Sequence, residues 1–195
     1  MRTSQIERVT NETKVNLVLD LDGVGRGKIK TNIPFFDHML EQLTFHSLVD
    51  LELNAQGDID IDFHHSVEDC GICLGKAFVE ALGDKKGINR YGFFLLPMDD
   101  ALIRVALDFS GRSFLSWKVN FPTNRVGNFD LELVREFFNA FSTNSGVTLH
   151  VEMLDGFNSH HISEAIFKAT GLSLIHISEP TRQAEMSYAV FCLKK

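Results

Sequence analysis

The feature that most constrains this chain is a pattern that occurs twice. His64-His65 is followed by Glu68, and His160-His161 is followed by Glu164. With eight histidines in 195 residues, composition alone predicts about 0.02 occurrences of HHxxE. The surroundings repeat too. DLELNAQGDIDIDFHHSVED reads as strand, turn, strand and HH, while VTLHVEMLDGFNSHHISEA reads as strand, loop and HH. An amphipathic helix precedes each, FFDHMLEQLTFHSL in one case and LELVREFFNAFSTNSG in the other. The chain therefore reads as an internal duplication with a period of roughly 95 residues. The expected fold class is α+β, with duplicated half-domains, each a small, mostly antiparallel sheet with two helices packed on one face. The halves are assigned to residues 1–95 and 96–171.

SVEDCGICLGKAFVEAL and ISEAIFKAT read as helices that begin at or just after each HH. On such a helix the first His and the Glu stand four residues apart and share a face. The two adjacent histidines point about 100° apart, which suits two ions better than one. Imidazole with carboxylate favours a borderline divalent ion such as Mn²⁺, Zn²⁺ or Fe²⁺ over Ca²⁺ or Mg²⁺. His38 lies in the upstream helix of the first half and Glu136 in that of the second. The candidate ligands are thus His38, His64, His65, Glu68, Glu136, His160, His161 and Glu164. A single histidine is more often a satisfied core residue; the matched pairs argue for ligation. His46 and His150 read as structural.

Composition narrows the partners. Hydrophobic residues make up 44% and charged residues 23%, close to the globular average. The net charge is −7 with no basic block, so nucleic acid is not an expected partner. No apolar run is long enough for a membrane helix, and MRTSQIERVTNETK lacks the apolar core of a signal peptide. Three cysteines fit a reducing compartment, and the expected location is cytoplasmic. Cys70 and Cys73 form a C-x-x-C inside a predicted helix, where core packing outweighs a redox or zinc reading.

RVTNET (8–13), PFFDHML (34–40), HHSVED (64–69), GINRYG (87–92), PMDDAL (97–102), DFSGRSF (108–114) and NSHHISEAIFKA (158–169) closely resemble motifs of the imidazoleglycerol-phosphate dehydratases of histidine biosynthesis. The resemblance covers about residues 5–171. It implies a duplicated α+β half-domain, two Mn²⁺ per subunit, and a 24-mer built from trimers with active sites between subunits. It also implies elimination of water from imidazoleglycerol phosphate to give imidazoleacetol phosphate, with no organic cofactor. By the same resemblance, His64, Glu68, Glu136 and His160 hold one ion, and His38, His65, His161 and Glu164 hold the other. Many relatives carry His at the position of Glu136; a carboxylate there is expected to alter affinity without abolishing the site.

The chemistry explains why ions are needed. The proton to be removed is on a carbon beside the imidazole ring and is not ordinarily acidic. If the substrate imidazole lost its N–H and bound both ions as imidazolate, the ring could expel hydroxide to give a conjugated diazafulvene-like intermediate from which a base would take the carbon proton, with the ions as Lewis acids and template. Glu164 is the candidate base and Glu12 the candidate proton relay. Arg90, Arg112 and Lys168 match the family's phosphate-binding positions, and Glu12 and His38 are further substrate-binding candidates. Taken alone, Glu12 reads as a solvated strand-edge residue and Arg90 and Arg112 as surface cations after turns. Asp99 and Asp100 suit either ligand orientation or turn capping. The alternatives are a dinuclear metal hydrolase and a metal-binding assembly protein without full activity.

From Leu172 to Lys195 the chain runs LSLIHISEPTRQAEMSYAVFCLKK. This string resembles a translated sequencing-library adaptor and is expected to be a non-native read-through tail. His176 and Cys192 are therefore set aside. In the resembled family a C-terminal loop supplies a serine and a lysine that close over the phosphate, so turnover is expected to suffer without it.

Overall fold

The structure is a computed structural model and describes residues 2–178, apart from the side chains of His176 and Ser178. Cys192 and the rest of 179–195 lie outside the described residues. The first half runs β1 (Thr3–Val9), β2 (Thr13–Asp20), β3 (Gly27–Lys30), α1 (Pro34–Ser47), β4 (Asp50–Gly57) and α2 (His64–Leu82). The second runs β5 (Tyr91–Met98), β6 (Ala101–Asp108), β7 (Phe114–Lys118), the short hairpin β8 (Arg125–Val126) and β9 (Phe129–Asp130), α3 (Glu132–Ser145), β10 (Thr148–Asp155) and α4 (Ser159–Ser178).

The duplication is visible in the topology. One sheet has the order β1-β2-β4-β3 and the other β5-β6-β10-β7. Each contains two antiparallel pairings and one parallel one, β3 with β4 and β7 with β10. The α+β expectation holds, with the β8–β9 hairpin as an addition that the sequence pattern did not announce. The expected boundary after residue 95 falls inside β5, a strand of the second sheet.

Alternation along the strands explains why each sheet carries its helices on one side. Val15, Leu17 and Leu19 of β2 and Leu51, Leu53 and Ala55 of β4 point inward; Ile103, Val105 and Leu107 of β6 with Leu149 and Val151 of β10 do the same in the second sheet. The helices lie between the sheets and pair across the halves, α1 with α4 and α2 with α3. All the inward residues join one core cluster. The outward faces differ. The first presents Gln5, Glu7, Lys14, Asn16 and Glu52 beside the exposed Val9 and Val18, whereas the second exposes the larger apolar side chains of Tyr91, Phe93, Leu95 and Phe114.

Local chemistry sets the helix starts that matter for the site. Pro34 occupies the first turn of α1, where its missing N–H costs nothing. Asp37 accepts the backbone N–H and the hydroxyl of Thr31, at 2.8 and 2.6 Å, and so ties the helix entrance to the preceding loop. Asp62 accepts the N–H of His64 at 2.8 Å, and Asn158 that of His160 at 2.9 Å. Each half thus places a short polar side chain two residues before its HH pair, satisfying an N–H that the helix leaves open. At its other end α4 continues to Ser178, with Leu174 and Ile177 buried. The segment expected to be foreign from Leu172 therefore begins inside a packed helix. No helix among the described residues is long and apolar enough to cross a membrane.

Candidate active site

The α1–α4 pairing brings residues of both halves together. His38 from α1 meets His160 and Glu164 from α4, their ligand atoms all within 4.8 Å of one another. The Nε2 of His160 lies 3.1 Å and that of His38 3.5 Å from Oε2 of Glu164. The Phe35 ring stands edge-on to His160, with centroids 5.4 Å apart, and walls this group on one side. Glu164 is buried, and its other oxygen accepts a 2.6 Å bond from Lys168. Burial alone would push this carboxyl up. The hydrogen bond and charge of Lys168, with His38 and His160, outweigh it and hold the group below its ordinary range. Two imidazoles and an ionised carboxylate converging on one point form a donor set that fits a borderline divalent ion.

This trio takes His160 from one expected ligand set and His38 and Glu164 from the other. Among the described residues, no other group of three such side chains comes as close. His64 and Glu68 face each other at 3.8 Å, both half exposed. Glu136 is half-buried, and its side chain makes no hydrogen bond or ion pair among the described residues. Within each HH pair the rings diverge as helical geometry requires: centroids are 6.2 Å apart in both, with planes at 88° for His64-His65 and 83° for His160-His161.

The second histidine of each pair has a carboxylate partner. Nδ1 of His65 donates to Asp58 at 3.0 Å, and Nδ1 of His161 to Asp100 at 2.5 Å. The Asp58 hydrogen bond raises the pKa of His65 against the opposing effect of burial, and the charges of Asp58, Glu12 and Asp62 add to it. His161 and then the N–H of Phe157 hold Asp100 well below the carboxylate range; burial opposes this and the N–H of Asn158 reinforces it. Asp100 therefore both orients a histidine and ties down the loop before α4. Asp58 was missed. Its one sequence signal was the acidic alternation Asp58, Asp60, Asp62 ahead of the first HH pair.

Glu12 is exposed in the β1–β2 turn and lines an open hollow with Thr10, Thr13, Gln56 and Asp58. Its N–H donates to Oγ1 of Thr10 at 3.1 Å, and its carbonyl accepts the N–H of Asp58 at 3.1 Å. Thr13 in turn donates to the buried carboxylate of Asp69, which also binds Arg8 at 2.8 Å. The turn carrying Glu12 is thereby pinned to α2.

A cationic cluster sits at the far end of β5 and β6. Arg90 grips Asp108 through Nε at 2.6 Å and Nη2 at 3.0 Å. This bond first, and then the charges of Arg90, Arg112 and Lys85, hold Asp108 below its ordinary range against burial. Lys85, not singled out by the sequence, also donates to the carbonyl of Phe109 at 3.3 Å. Three cations around one carboxylate leave a net positive patch suited to an anion. Lys168 belongs to the Glu164 group instead. His46 sits in the last turn of α1 with its pKa lowered by burial and then by Lys168, while Glu164 opposes. Cys70 and Cys73 are free and buried, and burial pushes the Cys73 thiol up to about 11.

Comparison with known proteins matches this architecture to one family. A family model described as imidazoleglycerol-phosphate dehydratase matches residues 31–174. The chain is 58% identical over 180 residues to the imidazoleglycerol-phosphate dehydratase of Cereibacter sphaeroides (strain ATCC 17029), covering 92% of each. It is 56% identical over 180 residues to that of Paracoccus denitrificans, again covering 92% of each. The crystal structure of the Staphylococcus aureus enzyme of the same name superposes with a TM-score of 0.82 at 40% identity, covering 90% of this chain and 98% of that one. The chain belongs to the imidazoleglycerol-phosphate dehydratase family.

Proposed function

We propose that this chain is a hydro-lyase of histidine biosynthesis that removes water from imidazoleglycerol phosphate to give imidazoleacetol phosphate. The observation that carries the reading is the meeting of His38 with His160 and Glu164, a donor trio assembled from both halves of a duplicated chain. Two Mn²⁺ per chain are the proposed cofactors, held by the two sets named from the sequence. The way the trio straddles those sets supports two neighbouring ions, and Glu136 is free to serve as a ligand.

When bound, the ions act as Lewis acids on the substrate imidazole and orient it. Glu164 takes the carbon-bound proton. Its ionised state, held by Lys168, and its shielded position suit a general base. Glu12 relays a proton on the opposite side, from a turn held in place by Thr10, Thr13 and Asp58. Arg90 and Arg112 bind the phosphate, with Asp108 as the internal anion that the substrate supplements. Lys168 reaches the substrate from beside Glu164.

The chain is proposed to act as a homo-oligomer, a 24-mer built from trimers, with sites between subunits. Two features support this. His65 is exposed, His64 and Glu68 are partly exposed, and the three make no group of three among the described residues, while the second sheet leaves Tyr91, Phe93, Leu95 and Phe114 uncovered.

The test is to strip the chain with chelator, restore Mn²⁺, count bound ions and follow imidazoleglycerol phosphate by mass spectrometry. Two ions per chain and loss of one water from the substrate are expected. Release of inorganic phosphate without dehydration would favour a hydrolase and overturn the reading.

A further inference from the structure

The two halves supply a carboxylate to the second histidine of each pair, but from different places in the fold. In the second half it comes from the turn between β5 and β6, where Asp100 meets Nδ1 of His161 at 2.5 Å. The corresponding turn of the first half joins β1 to β2 and carries Glu12. That turn does not hold His65. Asp58, just after β4, does so at 3.0 Å, and its own N–H donates to the carbonyl of Glu12.

An ionised carboxylate only accepts, so each of these bonds requires the hydrogen on Nδ1 and, in the neutral ring that binds a metal, leaves the lone pair on Nε2; at His161 that Nε2 faces Oδ2 of Asp99 at 3.6 Å. A histidine with one nitrogen committed in this way is fixed both in tautomer and in ring direction. Neither His64 nor His160 has such a partner on Nδ1; each turns Nε2 toward the glutamate of its own helix. The two members of an HH pair are thus prepared differently, and the same way in both halves.

We propose that Asp58 and Asp100 are positioning residues that set His65 and His161 to offer Nε2 to a divalent ion. The proposal rests on the reading above in which His65 and His161 ligate the same ion. It follows that in the first half the task has moved from the turn to Asp58, which leaves the Glu12 carboxylate without a hydrogen-bonded partner among the described residues and available to substrate.

The experiment is Mn²⁺ titration of the metal-stripped full chain, with free Mn²⁺ read by electron paramagnetic resonance. Asp58→Asn and Asp100→Asn should each weaken one of two bound ions about 10- to 100-fold and leave the other at wild-type affinity. The double variant should still hold that second ion. Asp100 also accepts the N–H groups of Phe157 and Asn158, so its variant risks disturbing the fold. Asp58→Asn keeps the backbone bond to Glu12 and is the decisive one. If Asp58→Asn binds both ions normally while His65→Ala loses one, the proposal is overturned and the ligand reading stands. If His65→Ala also keeps both, the ligand reading fails and the proposal with it. Loss of both ions together in Asp58→Asn would mark a structural role and overturn the proposal as well.

Discussion

Gly75 and Gly171 each stand eleven residues after the first histidine of their pair, and each meets the opposite half's helix through bare backbone. A Cβ on Gly75 would lie 2.8 Å from the carbonyl oxygen of Phe141, and one on Gly171 2.7 Å from that of Leu43. The atoms in the way are main chain and cannot rotate aside. The glycines set how closely α2 approaches α3 and α4 approaches α1, and so how near His38 comes to His160.

Gly171→Ala should therefore cost about 1–3 kcal/mol, seen as a fall of several degrees in Tm of the metal-free chain. It should also weaken Mn²⁺ binding, because α1 and α4 carry the trio between them. Gly75→Ala should destabilise by a similar amount while leaving His38, His160 and Glu164 together. Comparing Mn²⁺ affinity between the two variants at matched folded fraction checks this.

Glu12→Gln should leave both ions bound and lower kcat by about 10²- to 10⁴-fold, the range for loss of a general acid or base. Among the described residues its carboxylate makes no hydrogen bond or ion pair that holds the fold. Unchanged Tm and metal content with lost turnover is the expected outcome; unchanged turnover would return Glu12 to the solvated strand edge.

Arg112 differs from Arg90 in having no ion pair among the described residues. Arg112→Ala should leave stability nearly unchanged yet reduce kcat/KM roughly 10- to 100-fold, as expected for one or two charge-assisted bonds to phosphate. Inorganic phosphate should inhibit the variant less than the wild type. Arg90→Ala should cost stability too, because Asp108 loses both of its strongest bonds.

Asp100 gives a pH signature. Its folded pKa lies well below the value of about 3.9 for an unfolded aspartate. The stability it contributes is fully present above that unfolded value and is lost as pH falls toward the folded one. Urea midpoints of the metal-free wild type and Asp100→Asn should differ most near neutral pH. The gap should narrow below about pH 4.

Legibility in the sequence followed the range of the interactions. The two HHxxE patterns, their helices and the twofold plan were readable because they rest on spacing within one helix and on repetition along the chain. The divergence of each histidine pair followed from helical geometry alone. Asp58 and Lys85 were not readable: Asp58 meets His65 across a short irregular stretch whose path no helix or strand period sets, and Lys85 depends on the loop after β6. The trio crossing the expected ligand sets was hidden for the same reason, since it depends on α1 packing against α4. Asp100 was visible but undecided, and in the fold it holds both His161 and the loop before α4.

The crossed helix pairing carries a consequence for how such a chain can exist at all. Each half, cut free, would present two apolar helix surfaces whose complements lie in the other half. A half-length polypeptide of this design could be stable only by joining a copy of itself, and the present chain is that dimer with its subunits tethered. The tether replaces a bimolecular encounter with an effective concentration on the order of millimolar. It also lets the two former subunits drift apart in sequence, one keeping a glutamate in the turn and the other an aspartate, without losing each other.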